Sequence, residues 1–420
     1  MHQRTVLDNG LRVLTTSMPH TYSVTVAVFV GAGSRYESDK IAGATHFLEH
    51  LLFKGTKAWP SARDISEAIE GVGGVMNAST DREMTVYWCK VSKPHFRRSL
   101  EVLKDMVINP LLDREEMEKE RQIILEELRM SYDYPSNRVD LLIDEMLWPD
   151  QPMGRDVGGT KESVGRITRE DLVDMMRHQY TPDNVVVSVA GNLSHQEVVE
   201  ALDGAADGWT SQEPMPWSLA QMGQETSAIR VEYRKSEQAH LCVGLPSLPM
   251  DHPDRYAANL MNIILGDGMS SRLFQEVRER KGLAYDVHSS LSQYRDCGSL
   301  TVYCGSEPAR SAEALDAIMG QMSSLRDGFP EEEVERAREY SKGRIMLRME
   351  DSRSVAMWQG GQEILLGKVS TVDQVLESID AVGVEDVNRV AREMVREDQL
   401  NLAVVGPFRS DRRFRRAFKL

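Results

Sequence analysis

Residues 46–50 read His-Phe-Leu-Glu-His, two imidazoles four positions apart with a carboxylate just before the second. Leu48, Leu51 and Leu52 fall on one face and Gly55 follows the last of them, a pattern that predicts a helix. Positions i and i+4 of a helix project from the same face one turn apart, so His46 and His50 can share one ion. Two imidazoles suit zinc, which takes N, O or S ligands in a roughly tetrahedral site with one position open to water. Glu49, beside the pair, is placed to take a proton from water on the metal and return it to a leaving amine. The order H-x-x-E-H inverts the H-E-x-x-H zinc-binding helix.

Two histidines leave such a site short of a ligand, and a second helix expected over about 113–132 offers Glu126 and Glu127. Met117, Glu120, Ile124, Glu127 and Leu128 lie on one side of that helix, whereas Glu115, Lys119, Gln122 and Glu126 lie on the other. A carboxylate on an apolar face is costly unless it is paired or bound to metal, which favours Glu127 as the third ligand. Glu120, on the same face, is positioned to orient a ligand histidine.

The elements that must hold these residues repeat. A hairpin signal joins Thr5–Leu7 to Leu11–Thr15 through Asp8-Asn9-Gly10, and a strand follows at 23–30. Helical periodicity covers 41–54 and 61–72, a strand 83–91, and a helix starts at Phe96 and is stopped by Pro110. The second half replays the order, with strands at 229–233, 241–245 and 299–304 and helices at 255–265, 308–324 and 331–348. Residues 169–192 lie over 384–407 without a gap at an offset of 215, pairing Glu170 with Glu385, Asp171 with Asp386 and Gly191 with Gly406. Residues 209–226 are rich in Pro, Ser, Gln and Met without periodicity and read as a linker. The expected architecture is α+β, two homologous domains at 1–208 and 227–420, each an antiparallel sheet with helices packed on one face. In the second copy Ala257, Leu260 and Met261 stand where His46, Glu49 and His50 stand in the first, so one metal ion per chain is expected.

The 420 residues carry 50 Lys+Arg against 65 Asp+Glu, a net charge of −15, which argues against a nucleic-acid partner. Hydrophobic residues at 41% and charged residues at 27% are those of a folded globular chain. No apolar run reaches the roughly 18 residues of a membrane span, and the start lacks a secretory pattern. Cys89, Cys242, Cys297 and Cys304 are too few and scattered for a disulfide framework, so a cytoplasmic location is expected.

HFLEHLLFKGT at 46–56, with a Glu 77 positions after the second His, resembles the signature of the pitrilysin-type inverzincin metallopeptidases. In length and layout the chain is most similar to their mitochondrial-processing-peptidase-like bacterial branch. The resemblance extends over essentially the whole sequence and implies zinc ligands His46, His50 and Glu127, base Glu49 and supporting Glu120. NASTDREMTVY at 77–87 resembles the family's substrate-binding edge strand, which implies that Asn77 and Ala78 hold a peptide backbone by strand addition. LFQEVRERKGLAYDV at 273–287 resembles the segment bearing the family's Arg and Tyr, here Arg278 and Tyr285, implied to steady the oxyanion. The family's architecture further implies a homodimer whose sites are completed in trans and a zinc endopeptidase acting on extended peptides in a closed chamber. The alternative is a non-catalytic scaffold subunit of a larger peptidase-like complex.

Overall fold

A computed structural model of the chain describes residues 2–202, 208–221 and 223–420. Residues 203–207, at the end of the expected first domain, and Met222, inside the expected linker, lie outside the described residues. The fold consists of two compact units. The first comprises Met1–Leu128, Asp156–Ser218 and Met346–Thr371, and the second Arg129–Arg155, Leu219–Ile345 and Val372–Leu420. Each therefore takes a helical segment from the opposite half of the sequence, and the segment between the sequence halves passes from one unit to the other after Ser218.

Among the described residues the first unit holds six strands: β1 (Gln3–Val6), β2 (Arg12–Ser17), β3 (Ser23–Val30), β4 (Val75–Thr80), β5 (Thr85–Ser92) and β6 (Val185–Gly191). They line up as β1-β2-β6-β3-β5-β4. Gly10 adopts a φ of +92° in the tight β1–β2 connection, where the side chain of Asn9 accepts from the Leu11 N–H. Val24, Val26, Val28 and Val30 of β3 point to one side with Tyr87 and Cys89 of β5 and with Val185, Val187 and Val189 of β6. There they meet Leu48, Leu51 and Leu52 of α1 (Ala44–Leu52), Ile65 and Ile69 of α2 (Ala62–Glu70) and Leu100 and Leu103 of α3 (Phe96–Ile108). The alternate residues Leu14, Ala27, Phe29, Trp88 and Val186 point the other way, onto Val355, Ala356 and Ile364 of the Ser352–Leu366 helix. Burial on both faces is why β3 and β6 read as near-continuous apolar runs.

The second unit holds β7 (Ala228–Tyr233), β8 (Ala239–Ser247), β9 (Ala284–Gln293), β10 (Gly298–Ser306) and β11 (Asn401–Gly406), ordered β7-β11-β8-β10-β9. This is the order β2-β6-β3-β5-β4 again, and the helices Arg169–Gln179 and Val384–Met394 fall at the offset of 215 seen in the sequence. One face of the sheet packs on Val139, Leu142 and Ile143 of α5 (Pro135–Leu147), which follows α4 (Arg114–Asp133).

The α+β class and the duplication are as expected, with two differences of detail. Each sheet is mixed, because β2–β6 and β7–β11 pair in parallel. The last strand of each copy returns after a long helical excursion and not through a hairpin, so it is free to insert parallel to an early strand. Helices also cover both faces, since α5 and the Ser352–Leu366 helix each lie on the side of a sheet that the sequence order leaves bare.

Where the Ser352–Leu366 helix packs on its sheet, a Cβ on Gly360 would lie 2.1 Å from the buried ring of Phe29. Gly360→Ala is expected to destabilise the first unit by about 1–3 kcal/mol through overpacking. A lowered thermal or denaturant midpoint, set against Gly361→Ala at the neighbouring open position, checks this.

Candidate active site

The helix α1 is fixed at its start before its functional residues can be. Gly43, at a φ of +92°, precedes it, and a Cβ there would meet the Gly158 carbonyl oxygen at 2.4 Å. The buried Glu37 carboxylate accepts from the backbone N–H groups of Gly43 (2.8 Å) and Thr45 (2.7 Å). An anion there satisfies otherwise unpaired donors and complements the positive end of the helix. Phe47, Leu48, Leu51 and Leu52 sink into the core, which leaves His46, Glu49 and His50 on the half-buried side.

The two imidazoles lie with ring centroids 4.7 Å apart and nearly perpendicular, at 73°. Glu127 of α4 brings Oε2 to 3.5 Å from His50 Nε2 and 4.0 Å from His46 Nε2, and one donor atom from each of the three lies within 4.8 Å of the others. Burial, helped by the neighbouring His50, pushes His46 down to about 4, so at neutral pH it offers a lone pair. His50 Nδ1 lies 3.1 Å from Oε2 of the buried Glu120, whose Oε1 sits 2.7 Å from Lys54 Nζ. In the tautomer whose Nδ1–H donates to Glu120, the neutral His50 ring directs its Nε2 lone pair toward Glu127. Two imidazole nitrogens and a carboxylate oxygen, one histidine backed by a second carboxylate, are a donor set that fits zinc.

Glu49 projects beside this cluster and accepts from Thr80 Oγ1 at 2.5 Å. Burial raises its carboxyl above the ordinary range, opposed by the Thr80 hydrogen bond and by His50. A carboxylate whose proton affinity is raised is better matched to general-base work than an ordinary surface carboxylate.

The first unit thus brings together His46, Glu49, His50, Glu120 and Glu127. Glu127 is about half exposed and not sunk in the apolar face that the helical stripe assumes; Glu120 is the carboxylate that stripe buries. Asn77 and Ala78 lie on β4, the edge of the sheet, where the Ala78 N–H donates to the side-chain Oδ1 of Asn77 at 2.8 Å. Arg278 and Tyr285 belong to the second unit, on the helical turns Phe274–Arg280 and near the start of β9. There the Arg278 guanidinium lies 4.6 Å from the Tyr285 ring centre and 4.8 Å from that of Phe274, with Tyr285 78% exposed. Three contributors escape a reading of the motif alone: Thr80, Lys54 and Glu37. Alternation along β4 was the available signal for Thr80, since Met76, Ala78 and Thr80 share the less exposed side.

Residues 12–161 match the family described as Insulinase (Peptidase family M16), and residues 166–340 match the Peptidase M16 inactive domain. The uncharacterized zinc protease YmxG of Bacillus subtilis is 36% identical over 97% of this chain and 98% of its own length. An uncharacterized zinc protease of Streptomyces coelicolor is 38% identical over 97% of this chain and 90% of its own. The chain belongs to peptidase family M16. A protease structure from Helicobacter pylori shares the M16 chain's fold at a TM-score of 0.91, with 24% identity over 97% of this chain and 99% of the other. In this M16 chain the helix Arg255–Gly266 carries Ala257, Leu260 and Met261, all buried, within the span matched to the inactive domain.

The position of Glu127, one residue from Glu126, yields a discriminating expectation. Glu127→Ala should weaken zinc binding by at least about tenfold, whereas Glu126→Ala leaves it unchanged. Chelator competition on the two purified variants reads the difference, and equal losses would count against Glu127 as the ligand that the geometry singles out.

Proposed function

We propose that this M16 chain is a zinc-dependent endopeptidase that hydrolyses extended or unstructured peptides in a closed chamber. The observation that carries the reading is the convergence of His46, His50 and Glu127 beside a half-buried Glu49 held by Thr80. Nε2 of each histidine and a Glu127 oxygen would hold one zinc ion per chain. When bound, zinc would supply Lewis-acid chemistry, polarising the scissile carbonyl and acidifying water. Glu49 takes the proton of the attacking water and delivers it to the departing amine nitrogen, with Thr80 fixing which oxygen is free to do so. Glu120 keeps the His50 ring in the orientation that faces Glu127.

The peptide backbone is received on the open edge of β4. An incoming strand would take over the Ala78 N–H that Asn77 now caps, and main-chain pairing suits extended substrates of varied sequence. Arg278 and Tyr285 supply the donors for the oxyanion of the tetrahedral intermediate. In this reading the protein is a cytoplasmic homodimer in which the Arg278–Tyr285 pair of each protomer serves its partner.

Zinc content and cleavage of an unstructured peptide, measured on the wild type and on Glu49→Gln, test the proposal. Both proteins should hold about one zinc per chain, and the variant should lose on the order of 10²–10⁴ in turnover. A wild type that binds zinc and cuts no peptide would turn the reading toward a scaffold subunit. A wild type that holds no zinc would remove the basis of the mechanism.

A further inference from the structure

The hydrogen bonds behind His50 have a direction, and Lys54 sets it. An ammonium can only donate, so Lys54 Nζ, 2.7 Å from Glu120 Oε1, makes that oxygen an acceptor. The carboxylate paired with it accepts at its other oxygen as well, where His50 Nδ1 lies at 3.1 Å. Nδ1 must then carry the hydrogen, so the nitrogen that the neutral ring leaves bare is Nε2, which faces Glu127 Oε2 3.5 Å away. Reversing any link of the chain would put a hydrogen on the nitrogen that a metal needs bare.

The local fold makes this placement a consequence of chain geometry. The helix α1 ends at Leu52, and the Lys54 N–H donates to the Leu51 carbonyl, so the chain is still turning where Lys54 leaves it. Lys54 is four residues beyond His50 and reaches the same carboxylate from the helix's C-terminal end, where a cation is favoured. Glu120 is 3% exposed, and the side chain of Lys54 is 26% exposed. The lysine thus balances a buried negative charge on the side away from Glu127.

We propose that Lys54 is a positioning residue for metal binding: it pins Glu120 so that His50 presents Nε2 as a ligand. The inference rests on the zinc reading above and adds a residue to it. It concerns affinity for the metal and requires no turnover to test.

Zinc affinity is measured by chelator competition on metal-free protein, for wild type, Lys54→Met, Lys54→Arg, Glu120→Gln and the Lys54→Met/Glu120→Gln double variant. Lys54→Met should weaken zinc binding by about 10- to 100-fold, the range for partners that orient a ligand. Lys54→Arg, which also only donates, should stay within a few-fold of wild type. The double variant should bind no more weakly than Glu120→Gln alone, because Lys54 acts only through that carboxylate. Should Lys54→Met fail to fold, Lys54→Gln, whose amide can donate or accept, takes its place with a loss of the same sign. Wild-type affinity in Lys54→Met overturns the proposal, as do losses that add in the double variant. A wild type without measurable zinc affinity takes the zinc reading down together with this one.

Discussion

The Glu120 carboxylate, buried between α1 and α4 and accepting from both His50 and Lys54, is the constraint on which the centre is built. A buried carboxylate is tolerated only when its oxygens are engaged, and both are engaged here by residues that follow from α1. That fixes the register of α4 against α1. Glu127, seven residues or roughly two helical turns further along α4, is thereby carried to the opposite nitrogen of the same imidazole. Upstream, Glu37 secures the first turn of α1 through two backbone donors, so both ends of the helix are tied by carboxylates from elsewhere in the chain. Neither carboxylate lies within the five-residue motif, and without them the motif would specify a helix but not a place to put it.

Duplication supplies a comparison internal to the chain. Both units use one strand order, and both insert the last strand beside an early one in parallel. The difference lies in the first long helix after the central strand. In one copy it carries His46, Glu49 and His50; in the other, the corresponding side chains are Ala257, Leu260 and Met261, packed to 2% exposure or less. Apolar burial at those positions needs no partner helix bearing acids, whereas imidazoles and a carboxylate there would require one. The fold is therefore retained in both units, and the cluster of two imidazoles and a carboxylate on this helix in one.

Much of this was legible in the sequence, because the relevant signals are local. The i,i+4 histidines predict a shared helix face, and the ungapped offset of 215 places the helices Arg169–Gln179 and Val384–Met394, and strands β6 and β11, in equivalent positions. Signals that depend on tertiary context were not legible. The Ser352–Leu366 helix crosses to the first sheet through Gly360, a residue that reads in sequence only as a weak helix former. The exchange of α5 and that helix between units leaves no trace in periodicity, since an apolar stripe does not name the sheet it covers. Lys54 reads as one more cation beyond a helix end until Glu120 is seen opposite it. The stripe on α4 gives Glu120 and Glu127 the same face, yet only the structure separates the buried carboxylate from the half-exposed one.

Strand β4 joins the two parts of the proposed chemistry. An open sheet edge invites unwanted pairing, and edges are ordinarily blunted by charge, proline, a bulge or a covering loop. Here the Ala78 donor on the edge strand is capped by the side chain of the preceding Asn77, a protection that a competing strand can displace. The same strand sends Thr80 inward to Glu49, two residues along and therefore on the same side of the sheet as Ala78. A peptide paired with β4 in the proposed mode would be registered by the same backbone that orients the proposed base. A slip of one residue would turn every side chain of such a peptide over and shift each carbonyl by about 3.3 Å. Edge geometry, more than side-chain pockets, would then decide which bond is presented to Glu49, which is the arrangement expected of an enzyme that selects substrates by their extended conformation.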